Sequence, residues 1–285
     1  MNLPRLPKPL VSAAVDAALR EDLGLAGDVT SDATIPPHAN ADVVINAREE
    51  GTLAGLELAR AAFASLDPEL RFEAVAADGD RLVPGQDIAR IAGNARAVLS
   101  AERVALNFLC HLSGVATLTR RFADRIAGTN ARIVCTRKTL PGLRAFEKYA
   151  VRCGGGSSHR YGLDDAILIK DNHIAVAGGV REAIDAARAF AGHLTKIEVE
   201  VDTLDQLRTA LEAGPDVVML DNMPPETLRE GVAMVAGRVP VEASGNVSLQ
   251  TVRAIAETGV DMISTSKITM SAPSLDIGLD VAVDV

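Results

Sequence analysis

Tryptophan is absent from the 285-residue chain, tyrosine occurs twice and phenylalanine six times, so aromatic residues make up only 3% of the sequence. A core must therefore be built from Ala, Val, Leu and Ile, and stacking platforms for nucleobases are scarce. Cysteine is nearly as sparse. Cys110, Cys135 and Cys153 are odd in number, widely spaced and form no CxxC pair, which argues against a disulfide framework or a zinc site and predicts reduced thiols. Positive charge is in deficit, with a formal net charge of -9, so the broad basic surface that a nucleic-acid partner needs is missing. No apolar run approaches the length of a membrane span. The opening MNLPRLPKPL is broken by three prolines and has no apolar core of a signal peptide, so the expectation is a soluble cytoplasmic protein.

Against this acidic background, residues 136–173 hold seven Lys/Arg (Arg137, Lys138, Arg144, Lys148, Arg152, Arg160, Lys170) and four Asp/Glu. A local cationic cluster in an acidic protein points to an anionic small-molecule ligand.

The length suits one large α/β domain or two smaller ones. Residues 10–23 read as an amphipathic helix and the DVTSDATIPP segment as turn-rich. ADVVINARE (41–49), LRFEAVAADG (70–79) and DIARIAG (87–93) read as strands, with a helix at 56–66. Residues 96–126 form a long helical pattern that Gly114 is expected to kink or split. From Ala131 the pattern becomes strand, helix, strand: ARIVC, AILI, TKIEVEV, DVVML, RVPVEAS and VDMIS, most of them separated by helical segments. Gly192, Gly214, Gly237 and Gly259 are expected to cap helix ends. Six such strands fall short of a closed eight-stranded barrel. The fold class expected is α/β: an N-terminal α+β sandwich-like domain over 1–112, joined by the tail 271–285, followed by an open or incomplete (β/α) barrel over 113–270.

Residues at or just after the strand ends are Thr136, Arg137 and Lys138, then Lys170, Glu200, Asp221, Ser244 with Gly245, and Ser264. In a barrel these converge on one face. Cations come from the early strands and carboxylates from the later ones, with Glu198 and Glu242 nearby, a bipolar pocket suited to phosphorylated sugar chemistry. Backbone amides around Ser244, Gly245 and Asn246 offer a phosphate site. The GGGSSHRYG run reads as a flexible connection that brings His159 and Arg160 in from the side. Asp171, Asn172 and His173 read as supports of Lys170 or as the cap of the next helix; Lys148 and Arg152, four apart, read as a helix face.

TRKTLPGLR (136–144), EKYAV (147–151), GGGSSHRYGLDDAILIKDNH (154–173), IEVEV (197–201), MLDN (219–222) and EASGN (242–246) together resemble the quinolinate phosphoribosyltransferases. The resemblance implies transfer of phosphoribose from phosphoribosyl pyrophosphate to quinolinate with decarboxylation, giving nicotinate mononucleotide, pyrophosphate and carbon dioxide on the route to NAD. It implies that Arg137, His159 and Arg160 bind the quinolinate carboxylates, with Arg103 donated across a homodimer interface. Lys138 and Lys170 would hold phosphates, and Glu200 and Asp221 would face the ribose and help position magnesium on the pyrophosphate. Ser244, Gly245, Asn246, Ser264, Thr265 and Ser266 would cradle the 5-phosphate. Magnesium is the one cofactor implied, and no metal ligand set of the protein's own is expected. Where the family commonly reads Ser-Val-Gly-Ala-Leu-Thr-His-Ser, this chain has Ser264, Thr265, Ser266, Lys267, Ile268, Thr269, Met270 and Ser271, so glycine is replaced at Ser266 and histidine at Met270. The competing readings are a related phosphoribosyltransferase or pyrophosphorylase acting on another acid, a Schiff-base enzyme using Lys170, and a non-catalytic phosphate-binding barrel.

Overall fold

A computed structural model describes residues 3–281, which form two compact units. The first runs to Leu118 and adds Phe146–Gly155 and the segment from Ala272; the second comprises Thr119–Ala145 and Gly156–Ser271.

In the first unit, helix α1 (Lys8–Leu23) buries Val11, Val15 and Leu19, a stripe with four-residue spacing. The expected turn region is instead a short helix, α2 (Val29–Thr34). It forms because the Asp28 carboxylate accepts from the N–H groups of Thr30 and Ser31 and so satisfies two unpaired donors of the first turn. The expected strands and helix follow as β1 (Asn40–Ala47), β2 (Gly51–Thr52), α3 (Leu56–Leu66), β3 (Arg71–Ala74), β4 (Arg81–Leu82) and β5 (Asp87–Asn94). Helix α4 (Ala95–Arg125) is unbroken at Gly114. The glycine serves close approach instead: a Cβ there would overlap the carbonyl of Pro273, where the returning chain crosses the helix.

The next helix, α5 (Arg144–Cys153), corrects the expected boundary: most of it belongs to the first unit, whereas the strand and helix pattern predicts a barrel running without interruption from residue 113. The reason is its contacts. The Phe146 ring meets Phe108 with centroids 6.4 Å apart, Glu147 Oε1 lies 2.9 Å from His111 Nε2, and the Tyr149 hydroxyl donates to Asp78 at 2.7 Å.

The second unit is built on β6 (Arg132–Val134), β7 (Ile167–Ile169), β8 (Ile197–Val201), β9 (Val217–Asp221), β10 (Val241–Ser244) and β11 (Met262–Ser264). All pairings are parallel, in the order β6-β11-β10-β9-β8-β7. Helices α6 (Asp171–Ala177), α7 (Val180–Phe190), α8 (Leu204–Ala213), α9 (Pro225–Val235), α10 (Val252–Ala256) and α11 (Lys267–Met270) fill the connections. Strands β6 and β7, consecutive in sequence, thus lie at opposite edges of a sheet that does not close. The Ser157 backbone extends the β6 edge, donating to Ile133 O at 2.8 Å and accepting from Cys135 N–H at 3.2 Å. The expected open (β/α) barrel is therefore what forms.

Of the four predicted cap glycines, Gly214 takes the left-handed cap of α8, and Gly237 and Gly259 are left-handed just beyond the ends of α9 and α10. Helix α7 ends on extended Ala191, and α9 ends on Ala236, itself left-handed at φ 52°. The chain returns to the first unit as β12 (Ile277–Val281), giving an antiparallel sheet of order β12-β1-β5-β3. Among the described residues no helix is long and apolar enough to cross a membrane.

Candidate active site

Parallel strands in register deliver their carboxyl ends to one side of the sheet. Ile169 pairs with Val199, Ser244 with Asp221, and Ser264 with Val134, so Lys170, Glu200, Asp221, Ser244, Ser264 and Thr136 gather at that side. Of these, Lys170, Ser244, Ser264 and Thr136 line a cavity of about 280 Å³ within the second unit, whereas Glu200 and Asp221 are not part of its lining. Arg137, Lys138, Arg160 and Lys170 supply its positive wall, with His159 beside them. Thr136, Ser244 and Ser264 add hydroxyls, Leu168 and Met219 an apolar surface, and Glu242 a buried carboxyl.

The cationic cluster divides by structural role. Four of its seven members line the cavity. Arg144 braces the loop instead, donating from Nε to Thr139 Oγ1 at 3.1 Å and from Nη1 to the Tyr161 carbonyl at 3.1 Å. Lys148 and Arg152 lie on α5 in the first unit, where Lys148 is fully buried. Arg103 also belongs to the first unit; its side chain is 62% exposed and 4.0 Å from Glu102.

Local hydrogen bonds fix the loops that carry the site. Thr136 Oγ1 accepts from Lys138 N–H at 2.9 Å, and His173 Nδ1 accepts from Lys170 N–H at 2.9 Å, holding the turn where Lys170 leaves β7. The GGGSSHRYG run is less free than its composition suggests, because Asp165 accepts from the N–H groups of Tyr161 and Gly162 at 2.7 and 3.0 Å. Beyond β9 and β10, Asn222 N–H donates to Ser244 O at 2.9 Å and Asn246 Nδ2 donates to Asn222 Oδ1 at 3.1 Å. Gly245, at φ 87°, sits against the Asn222 side chain, where a Cβ would collide. The atypical segment after β11 folds as α11: Ser266 O accepts from Thr269 and Met270 N–H, Thr265 is buried, and Thr269 Oγ1 donates to Lys138 O at 2.7 Å.

Lys170 Nζ and Glu200 Oε2 form an ion pair, and Asn222 Nδ2 donates to Asp221 Oδ2. Arg137 and Arg160 carry like charge in one wall; burial, followed by repulsion from Arg137, holds the Arg160 guanidinium below its usual pKa. The Nε atoms of both arginines are buried with no hydrogen-bond partner. Beneath them Glu242 is 2% exposed, and burial, followed by the charge of Glu198, pushes its carboxyl up to about 7. His159, Glu198 and Glu242 bring possible donor atoms within 4.8 Å of one another. Glu198 and Glu242 stand near strand ends in the sequence, but nothing there singles out Leu168 and Met219, which line the cavity.

A cavity walled by four cations and lined by strand-end hydroxyls and one buried carboxyl is thus the centre of the second unit. Residues 115–280 match the quinolinate phosphoribosyl transferase C-terminal domain, and residues 28–113 match its N-terminal domain. The chain belongs to the quinolinate phosphoribosyltransferase family.

A probable nicotinate-nucleotide pyrophosphorylase [carboxylating] of Bacillus subtilis is 46% identical over 261 residues, covering 92% of this chain and 90% of the relative. A chloroplastic nicotinate-nucleotide pyrophosphorylase [carboxylating] of Arabidopsis thaliana is 41% identical over 98% of this chain and 84% of its own length. The solved structure of NadC from Streptococcus pyogenes superposes with a TM-score of 0.94 at 41% identity, covering 98% of this chain and 99% of that one. This member of the quinolinate phosphoribosyltransferase family therefore shares the fold of that structure over nearly its whole length.

Proposed function

We propose that the protein joins quinolinate to phosphoribosyl pyrophosphate and releases carbon dioxide, leaving nicotinate mononucleotide and pyrophosphate. The observation that carries this reading is the convergence of Arg137, Lys138, Arg160 and Lys170 on one cavity at the strand ends that also bear Glu200 and Asp221. A dianionic aromatic acid matches the paired guanidinium groups of Arg137 and Arg160, which form forked contacts with carboxylates. Lys138 and Lys170 supply point charges for phosphate oxygens. Glu200 and Asp221 face the ribose, where their negative charge stabilises the oxocarbenium-like carbon that develops as pyrophosphate departs.

Phosphoribosyl pyrophosphate arrives as a magnesium complex. Glu200 and Asp221 are the hard oxygen donors that such an ion takes, and they sit at adjoining strand ends, so the site fits this form of the substrate. The loop of Ser244, Gly245 and Asn246, with Ser264, Thr265 and Ser266, forms the seat of the 5-phosphate. Once the ring nitrogen bears ribose it is a pyridinium, an electron sink for the carbon that loses its carboxylate. The protein's part in decarboxylation is then orientation and electrostatics.

The reading extends to a cytoplasmic homodimer in which Arg103 of one chain completes the acid-binding wall of the other. Its support is an exposed guanidinium whose nearest carboxylate, Glu102, is 4.0 Å away, and the thiol state of all three cysteines suits a reducing compartment.

Incubation with quinolinate, phosphoribosyl pyrophosphate and magnesium, following carbon dioxide and nicotinate mononucleotide, tests the proposal, with nicotinate as the control acid. Stoichiometric carbon dioxide and mononucleotide from quinolinate are expected. Turnover of nicotinate without turnover of quinolinate would overturn the assignment.

A further inference from the structure

His159 lies between the cationic wall and two glutamates, and its hydrogen bonds define its state. Its Nδ1 lies 2.8 Å from the Arg160 backbone N–H, a donor that cannot reverse its role, so Nδ1 must offer a lone pair. The ring hydrogen is therefore on Nε2, which donates to Glu198 Oε2 at 3.0 Å. Glu242 Oε2 stands behind at 3.9 Å from the same nitrogen, too far for a direct bond. An imidazolium would set a second N–H against that of Arg160. One side chain thus ties a buried carboxylate on β8 to the backbone of the residue whose guanidinium lines the cavity.

We propose that Glu198, with Glu242 behind it, is a positioning residue for the carboxylic acid substrate: it holds His159 as the Nε2–H tautomer and through it fixes Arg160 in the cavity wall. This rests on the reading of the cavity as the quinolinate site.

The second carboxyl has a definable part. Two buried carboxylates this close to one imidazole resist double ionisation. Glu242 faces Glu198, His159 and Lys170 and accepts from the Ser264 hydroxyl. Its burial is the deeper, at 2% exposure against 9% for Glu198, so its charged form is disfavoured. Glu198 Oε2, at hydrogen-bond distance, is the acceptor of the His159 hydrogen. One Oε1 of each glutamate is buried with no hydrogen-bond partner, as expected for a pair whose alignment is set by the imidazole rather than by saturating every oxygen.

The test is steady-state kinetics on Glu198→Ala, Glu198→Gln and the parent chain. Alanine strands a buried N–H, at a cost of about 1–3 kcal/mol, so KM for quinolinate is expected to rise about tenfold or more. KM for phosphoribosyl pyrophosphate stays within about twofold, because that substrate meets other side chains. Glutamine keeps an acceptor for Nε2–H and is expected to recover KM to within about threefold of the parent value. An unchanged quinolinate KM in Glu198→Ala, or equal rises for both substrates, would overturn the proposal.

Nitrogen NMR of the histidine rings, with the His159 signals assigned by their loss in His159→Gln, gives a second measurement that needs no turnover. The neutral Nε2–H form is expected at pH 7, and an Nδ1–H tautomer or an imidazolium would overturn the proposal. If the parent chain does not use quinolinate, the functional reading fails while the ring state still judges the cluster.

Discussion

Lys170 Nζ is ion-paired with Glu200 Oε2 across the β7–β8 ladder, one residue beyond the paired Ile169 and Val199. The pairing is a consequence of register: both residues are the first functional side chains past the last ladder contact. It also means that each screens the other until substrate enters. Losing either leaves its partner uncompensated in a half-buried site, so the two act as a unit. Lys170→Ala is expected to lower kcat/KM by about 100-fold, and Lys170→Ala/Glu200→Ala by no more than about threefold beyond that. Additive losses in the four-member cycle would show that the pair is not coupled.

Lys138 and Arg160 share the cavity but meet different chemistry. Lys138 is held through its own backbone, with Thr136 Oγ1 on its N–H and Thr269 Oγ1 on its carbonyl, so its truncation leaves the loop intact. Lys138→Ala is expected to raise KM for phosphoribosyl pyrophosphate, and Arg160→Ala to raise KM for quinolinate. Each effect corresponds to the loss of one charge-assisted contact, about 10- to 100-fold. Separate saturation curves for the two substrates check the split, and parent-like constants in both variants would remove these residues from the site.

Gly245 is left-handed at φ 87° and packs on Asn222. Gly245→Ala adds a strained backbone, about 1–2 kcal/mol, and displaces the Asn222 side chain that Asn246 Nδ2 contacts. Because the loop is the proposed 5-phosphate seat, the variant is expected to melt a few degrees lower and to lose affinity for phosphoribosyl pyrophosphate more than for quinolinate. Thermal denaturation beside KM measurements separates the two effects.

The strand ends were legible because a parallel βα unit imposes its own spacing, and chance rarely sets a polar residue at the end of strand after strand. Glu200, at the end of IEVEV with Glu198 nearby, belongs to that succession. Contact partners were a different matter. The pattern around Phe146, Ala150 and Val151 tells that a face is buried but not against what, so α5 was assigned with the barrel although Phe108, His111 and Asp78 hold it in the first unit. Charge counting groups Arg144, Lys148 and Arg152 with the cavity's cations in one cluster, although the four-residue spacing of Lys148 and Arg152 reads as a helix face. Their actual surroundings depend on which helix face packs inward, which composition does not encode.

The Glu242 carboxyl, at about 7, lies above its ordinary 4.5 because burial and the neighbouring Glu198 charge disfavour ionisation, against smaller opposing effects of His159, Ser264 and Lys170. The folded state therefore binds the extra proton more tightly than the unfolded chain. Its contribution to stability is fully present below about pH 4.5 and is lost as pH rises towards 7, amounting to roughly 3 kcal/mol at most. Glu242→Gln removes this titration. The stability difference between Glu242→Gln and the parent chain is expected to shift in favour of the variant as pH goes from 5 to 8, then to level off. Denaturant unfolding at four or five pH values measures it, and a constant difference would place the Glu242 pKa near its unfolded value.

Arg103 is the one proposed ligand-binding residue that lies outside the second unit, and its side chain is 62% exposed. If a partner chain donates it, the defects of two inactive variants fall in different places. Arg103→Ala retains a complete main cavity but cannot complete its partner's, whereas Lys138→Ala retains its arginine but has a damaged cavity. In a mixed dimer one of the two sites combines an intact cavity with an intact arginine. Random mixing makes half of the dimers heterodimers, so about one quarter of the parent activity per site is expected to return, against near-background rates for each variant alone. The measurement is activity after co-refolding or co-expression, with hetero-dimer content verified by two affinity tags. Recovery would also require the two chains to face each other through equivalent surfaces, since a two-fold pair exchanges the same arginine in both directions. No recovery in verified heterodimers would place Arg103 in its own chain's site or outside catalysis.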